Sequence, residues 1–159
     1  MPTFQREVRV HAPFEVVWEF HSDASGLEAL TPEFMRLELV AVRGPDGEPN
    51  PGLLETGAEI DMRMRPFGVA PIQEWTSVIV EREESDGSAY FVDEMQGGPF
   101  RKWRHTHAFY ADGDDTILRD EVQYRLPFGG FGDAVGPFAK VGFEGMFRDR
   151  HRRTKRLLE

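Results

Sequence analysis

The sequence predicts an α+β fold, in which an antiparallel sheet of six or seven strands packs on one long C-terminal helix. Three observations predict it. Residues 97–130 contain two aromatic and β-branched runs flanking the turn sequence ADGD, the pattern of a β-hairpin. Five further stretches, 3–11, 34–43, 57–65, 72–82 and 89–96, have strand composition or alternate apolar and polar residues. Finally, Pro137 to Leu158 carry apolar residues at helical spacing.

The elements follow in chain order. TFQREVRVH (3–11) alternates loosely and reads as a strand. Ala12-Pro13 then opens PFEVVWEFHSD, where proline suits a first helical turn and Phe14, Val17 and Trp18 make an apolar stripe. Ser22 and Asp23 end that helix and cap a second one, ASGLEALTPEF, which Pro32 closes. FMRLELVAVR is a strand, and GPDGEPNPG after it is an exposed loop. GAEIDMRMR places Ile60, Met62 and Met64 on one face, and PFGVAP breaks the run. IQEWTSVIVER and AYFVDEMQ are the next two strands, separated by the turn ESDGS. After the hairpin, FGGFGDAVGPF reads as a glycine-rich connection, without the Lys-Ser/Thr of a phosphate loop. In the last helix Ala139, Phe143, Met146, Arg150, Thr154 and Leu157 form the stripe, with Phe147 beside it. Gly142 and Gly145 weaken that helix by roughly 1 kcal/mol each relative to alanine, so close packing or room for a ligand is expected to compensate.

The hairpin is the informative stretch. With Asp112-Gly113 as a two-residue loop, Ala111 pairs with Asp114, Phe109 with Thr116, His107 with Leu118, His105 with Asp120 and Trp103 with Val122. Trp103, His105, His107 and Phe109 then share a face with Leu118, Asp120, Val122 and Tyr124. Lys102, Arg104, Arg119, Glu121 and Arg125 take the other face. One face is apolar with two histidines and an aspartate set into it, and the other is mostly charged, as in a half-buried antiparallel sheet.

Composition sets the outer bounds. The 159 residues are long enough for one domain with a sizeable core. A net charge of −9 argues against nucleic-acid binding, and the basic run RDRHRRTKRLLE fits a helix C-terminus. With no cysteines there are neither disulfides nor thiolate metal sites. No apolar run is long enough for stable membrane insertion, no signal peptide is visible, and a cytoplasmic location is expected.

The strand-to-helix opening VHAPFEVVWEFHSD, the string GPFRKWRHTHAF, then TILRDEVQYRLPFG and FRDRHRRTKRLL resemble the START-like superfamily, also called SRPBCC or birch-pollen-allergen-like. They are most similar to a branch related to polyketide cyclases and dehydrases. The resemblance covers nearly the whole chain, so residues 1–159 are expected to form a single ligand-binding domain. It implies the helix-grip fold, a sheet curled around the long helix, and a cavity between them for a hydrophobic ligand such as a lipid or polyketide. The alternative it implies is a cyclase/dehydrase-type enzyme with a His-Asp acid/base set. It specifies neither the ligand nor the oligomeric state.

His105, His107 and Asp120 admit several readings: a self-satisfied buried network, an anchor for a ligand carbonyl or hydroxyl, or a general base whose tautomer Asp120 holds. A metal reading, with His-x-His completed by Asp120, is set aside because it also needs open coordination and an outer shell. No metal or cofactor is expected. Trp75, Trp103, Phe109, Tyr124, Met62, Met64 and Phe143 are the expected ligand-lining residues, with His105, His107 and Asp120 among them. Asp93 stays open, since a one-residue slip of its strand reverses its face.

Overall fold

The computed structural model describes residues 2–30, 36–49, 51–65, 68–69 and 71–159. Its strands are β1 (Thr3–Val10), β2 (Glu38–Arg43), β3 (Glu59–Met64), β4 (Gln73–Ser85), β5 (Ser88–Gly97), β6 (Lys102–Asp112) and β7 (Asp115–Arg125). Its helices are α1 (Phe14–His21), α2 (Ala24–Leu30), α3 (Gly129–Val135) and α4 (Lys140–Leu158). Among the described residues the strands form one seven-stranded antiparallel sheet in the order β1-β7-β6-β5-β4-β3-β2. The sheet curls around α4, which is the helix-grip arrangement. Pro32 and residues 34–35 lie outside the described residues, as do 66, 67 and 70 of the PFGVAP break. No helix among the described residues is long and apolar enough to cross a membrane.

Local chemistry explains the helix boundaries near the start. Pro13 caps α1 in an extended conformation, and Phe14, Val17, Trp18 and His21 turn inward. The Asp23 carboxylate accepts from the Ser25 backbone N–H at 2.9 Å and so caps α2.

The interior has two apolar clusters. Val10, Phe14, Val17, Trp18, Ile60, Met62, Ile79, Phe91, Phe109 and Leu118 belong to the first. Phe4, Val122, Tyr124, Phe143 and Phe147 form the second, which joins β1 and β7 to α4. Strand alternation carries both along the same inner face of the sheet.

Four expectations need correction. The hairpin loop is Gly113-Asp114, so Phe109 pairs with Leu118, His107 with Asp120, His105 with Val122 and Trp103 with Tyr124. Of the two loop residues only Gly113 has positive φ, at 62°, which suits a turn that needs glycine at its first central position. The glycine-rich segment contains α3, and Gly132 is required there because a Cβ would lie 1.9 Å from the Pro127 carbonyl oxygen. The last helix starts as a 3-10 turn over Gly136–Ala139 and buries Phe143, Phe147, His151 and Thr154, so His151 takes the inward place expected of Arg150. A Cβ on Gly142 or Gly145 would meet open space, so close packing does not account for either glycine.

Candidate functional site

The polar site lies between the two clusters because the strands carry it there. On β7, Asp120 alternates with Leu118 of the first cluster and Val122 of the second. On β6, His105 and His107 sit between Trp103 and Phe109. Asp93 on β5 is the partner of His105 and turns to the same face. On β1, Arg6 stands opposite Asp120. His151 follows Phe147 by one helical turn on α4 and reaches the sheet at Asp120.

The hydrogen bonds define where the protons are. Arg6 can only donate, so the 2.7 Å contact from its Nη1 makes His151 Nδ1 an acceptor. His151 therefore carries its proton on Nε2 and donates it to Asp120 Oδ2 at 2.6 Å. Asp120 Oδ1 accepts from His105 Nε2 at 2.7 Å. Asp93 Oδ2 accepts from His107 Nε2 at 2.7 Å, and Asp93 Oδ1 accepts from Ser77 Oγ at 3.2 Å. Two nitrogens of the site make no hydrogen bond: His105 Nδ1 lies 3.9 Å from Asp93 Oδ2, and His107 Nδ1 is buried without a partner, 3.5 Å from Asp120 Oδ1.

Ring contacts hold the imidazoles in place. His105 and His107 stack with centroids 3.6 Å apart, and Phe91 stacks on His107 at 4.1 Å. Phe147 meets His105 edge-on at 5.3 Å.

Burial and charge set the protonation states. Burial is the main reason the His107 imidazole is pushed down to about 4; the neighbouring His105 adds to this, and Asp93 opposes it. Burial alone would raise the Asp120 carboxyl. The bonds from His105 and His151 outweigh it and hold Asp120 well below the usual carboxylate range. Asp93 follows the same logic: burial pushes it up, and the His107 bond with the nearby imidazoles brings it net below its ordinary value. At neutral pH the site thus holds two carboxylates and a neutral His107 whose Nδ1 lone pair is free to accept. Asp93, His105 and His107 also offer metal-ligand atoms that lie within 4.8 Å of one another.

The remaining expected residues fall into two groups around this centre. Met62 and Phe109 are buried in the first cluster, and Trp75 packs against it half-buried. Tyr124 and Phe143 are buried in the second cluster, with Trp103 half-buried against it. Met64 is half-buried on β3. The Tyr124 hydroxyl donates to the Gly136 carbonyl at 2.6 Å, so its polar end serves the connection into α4. A separate cleft of about 300 Å³ lies against α1, lined by Phe14, Trp18, Ser22 and Leu53 among others. Trp18 also contacts Phe91, the ring stacked on His107.

His151, Arg6 and Ser77 were not expected in the site. The signals were present in each case. His151 lies one helical turn after Phe147, Arg6 occupies the inward phase of Phe4, Val8 and Val10, and Ser77 shares the phase of Trp75 and Ile79.

Comparisons with known proteins agree with the fold. The family model described as "Polyketide cyclase / dehydrase and lipid transport" matches residues 1–159. No curated protein matches the sequence. Among solved structures, TTHA0849 from Thermus thermophilus is 21% identical, with a TM-score of 0.63, covering 99% of this chain and 100% of that one. A START superfamily protein from Mycobacterium smegmatis is 16% identical, with a TM-score of 0.65, covering 98% and 96%. Norcoclaurine synthase from Thalictrum flavum, in complex with dopamine and hydroxybenzaldehyde, is 17% identical, with a TM-score of 0.62, covering 99% and 86%.

Proposed function

The chain belongs to the family of polyketide cyclases/dehydrases and lipid transport proteins, and on that premise we propose that it binds a hydrophobic, ring-containing or lipid-like molecule between the sheet and α4. Residues 1–159 act as one ligand-binding domain in this reading. The observation that carries it is His107 Nδ1, an unpartnered acceptor buried among aromatic rings. A buried polar atom without a partner is costly, and a ligand hydroxyl donating to it removes that cost. Trp75, Trp103, Phe109, Met62, Met64, Tyr124 and Phe143 supply the apolar surroundings, and the His105–Asp120 and His107–Asp93 pairs fix the orientation of the polar end.

A second reading is supported by the His107–Asp93 pair. A neutral imidazole whose Nε2 proton is held by a carboxylate is arranged as a general base at Nδ1, suited to enolisation in a cyclisation or dehydration. The Thalictrum flavum enzyme was solved with two phenolic ring compounds, which makes phenols natural members of a test panel.

The experiment is native mass spectrometry of the purified protein, followed by tryptophan fluorescence titration with fatty acids, sterols, phenols and aromatic polyketides. A co-purified or titrating ligand with micromolar or tighter affinity, about −8 kcal/mol or stronger, is expected. No bound species and no response across the panel would overturn the reading. Turnover of a bound polyketide, abolished by His107→Gln, would favour the enzyme.

A further inference from the structure

We propose that Asp93, His105 and His107 form a site for one divalent transition-metal ion of the zinc type, with Asp120 and Ser77 orienting the ligands. The metal replaces the ligand hydroxyl as the answer to the unpartnered His107 Nδ1, since it moves the proton to that atom, and it can be titrated into the protein alone, so the two readings fail separately.

The donors converge from two adjacent strands. Asp93 pairs directly with His105, and His107 lies two residues further along the same face. His107 Nε2 is 2.7 Å and His105 Nδ1 is 3.9 Å from the same oxygen, Asp93 Oδ2. Tetrahedral bonds of ~2.0–2.1 Å place donor atoms about 3.3 Å apart, between these two separations. Two imidazoles and a carboxylate make a borderline donor set that suits zinc and its first-row neighbours.

The outer shell is complete only with a metal in place. His105 already presents Nδ1 toward Asp93 and gives its Nε2 proton to Asp120. His107 does not match it: its proton is on the Asp93 side, and its Nδ1 is left without a partner 3.5 Å from Asp120 Oδ1. A metal on Nε2 moves the His107 proton to Nδ1, where it faces that carboxylate oxygen. Both ligating imidazoles then direct their remote N–H at one carboxylate, the usual support for metal-bound histidine. Asp120 is fixed in turn by His151, which is fixed by Arg6, while Ser77 holds the second oxygen of Asp93. A divalent ion also offsets the charge of Asp120, which is buried, and of Asp93, which is largely buried. Three protein donors leave a coordination position for a ligand oxygen.

The test uses chelator-treated full-length protein. Zn²⁺ is titrated calorimetrically, and Co²⁺ is followed by visible absorption. One ion per chain is expected, with a dissociation constant in the micromolar range or tighter. Asp93→Asn and His107→Gln should each weaken binding more than Asp120→Asn, which should weaken it about 10- to 100-fold. His11→Gln is the control, since exposed His11 sits 3.2 Å from Asp115 in a surface pair where adventitious binding would occur. Unchanged affinity in His11→Gln supports the site. Absence of stoichiometric binding to the wild type, or loss only in His11→Gln, overturns it. X-ray absorption of the zinc-loaded wild type needs no variant to fold: two imidazoles in the first shell support the site, and none or one overturns it.

Discussion

Asp61 and Asp120 sit on opposite faces of one sheet and are satisfied in opposite ways. On the outer face, Asp61 accepts from Arg43 at 2.6 Å and from Thr76 at 2.7 Å, with about a third of its side chain exposed. On the inner face, Asp120 is 1% exposed and accepts from His105 and His151. Both carboxylates bridge neighbouring elements. The difference lies in the partners. Arginine keeps its charge at every accessible pH, so the outer cluster has one protonation state and a structural role. A neutral imidazole can carry its proton on either nitrogen, so the inner cluster can exchange tautomers, hydrogen bonds or ligands. That asymmetry is the reason the proposed function is assigned to the inner face.

Acid titration is the largest expected effect, and it separates the faces by pH window. His107 is lowered to about 4, and burial lowers His21 to about 3, both from an ordinary 6.5. The unfolded chain therefore binds more protons than the folded one below pH 6.5. Their stability contribution is complete above 6.5 and is lost as pH falls toward 4 and 3, by about 1.4 kcal/mol per pH unit for each group. Asp61 is lowered to about 2 by Arg43 and then Thr76, so its contribution is lost only below 3.8. Urea unfolding from pH 7.5 to 3 should show the loss beginning near 6.5, with a shallower slope in His107→Gln.

Removing the inner carboxylate comes next. Asp120→Ala leaves two buried imidazole N–H groups without an acceptor, at about 1–3 kcal/mol each, so about 3 kcal/mol of destabilisation is expected in chemical denaturation. On the outer surface of α4, Gly142→Ala and Gly145→Ala should each raise stability by about 1 kcal/mol, because the added Cβ meets nothing. The smallest effect belongs to the outer face. Arg43→Ala should lower stability by less than about 1 kcal/mol, since the pair is solvated. A larger loss at Arg43 than at Asp120 would reverse the comparison.

The two faces also differ in how far the sequence discloses them. Period-two alternation assigns Trp103, His105, His107, Phe109, Asp120 and Tyr124 to the inner face, and the structure agrees. The hairpin register slips by two residues, from an Asp112-Gly113 to a Gly113-Asp114 loop, and a slip of two preserves every face while changing every partner. His105 and Asp120 therefore still meet, diagonally, at 2.7 Å. Asp93 was illegible because Gly97 and Gly98, both at positive φ, set the phase of β5. His151 was hidden in an arginine-rich run whose helical phase is set by packing of Phe143 and Phe147. For α3, glycine composition argued against a helix, and the structure nevertheless forms one over Gly129–Val135.

The most direct test of the inner face as a functional site is a paired thermal melt and ligand titration of wild type, Asp120→Asn and His105→Gln, using the tightest binder from the hydrophobic panel. Asparagine keeps the shape and one acceptor of Asp120 but removes its charge. The expected result is a folded protein whose affinity per folded molecule falls at least tenfold, about 1.4 kcal/mol. Stability lowered by about 1–3 kcal/mol with unchanged affinity would contradict the account and return the His–Asp set to a purely structural role.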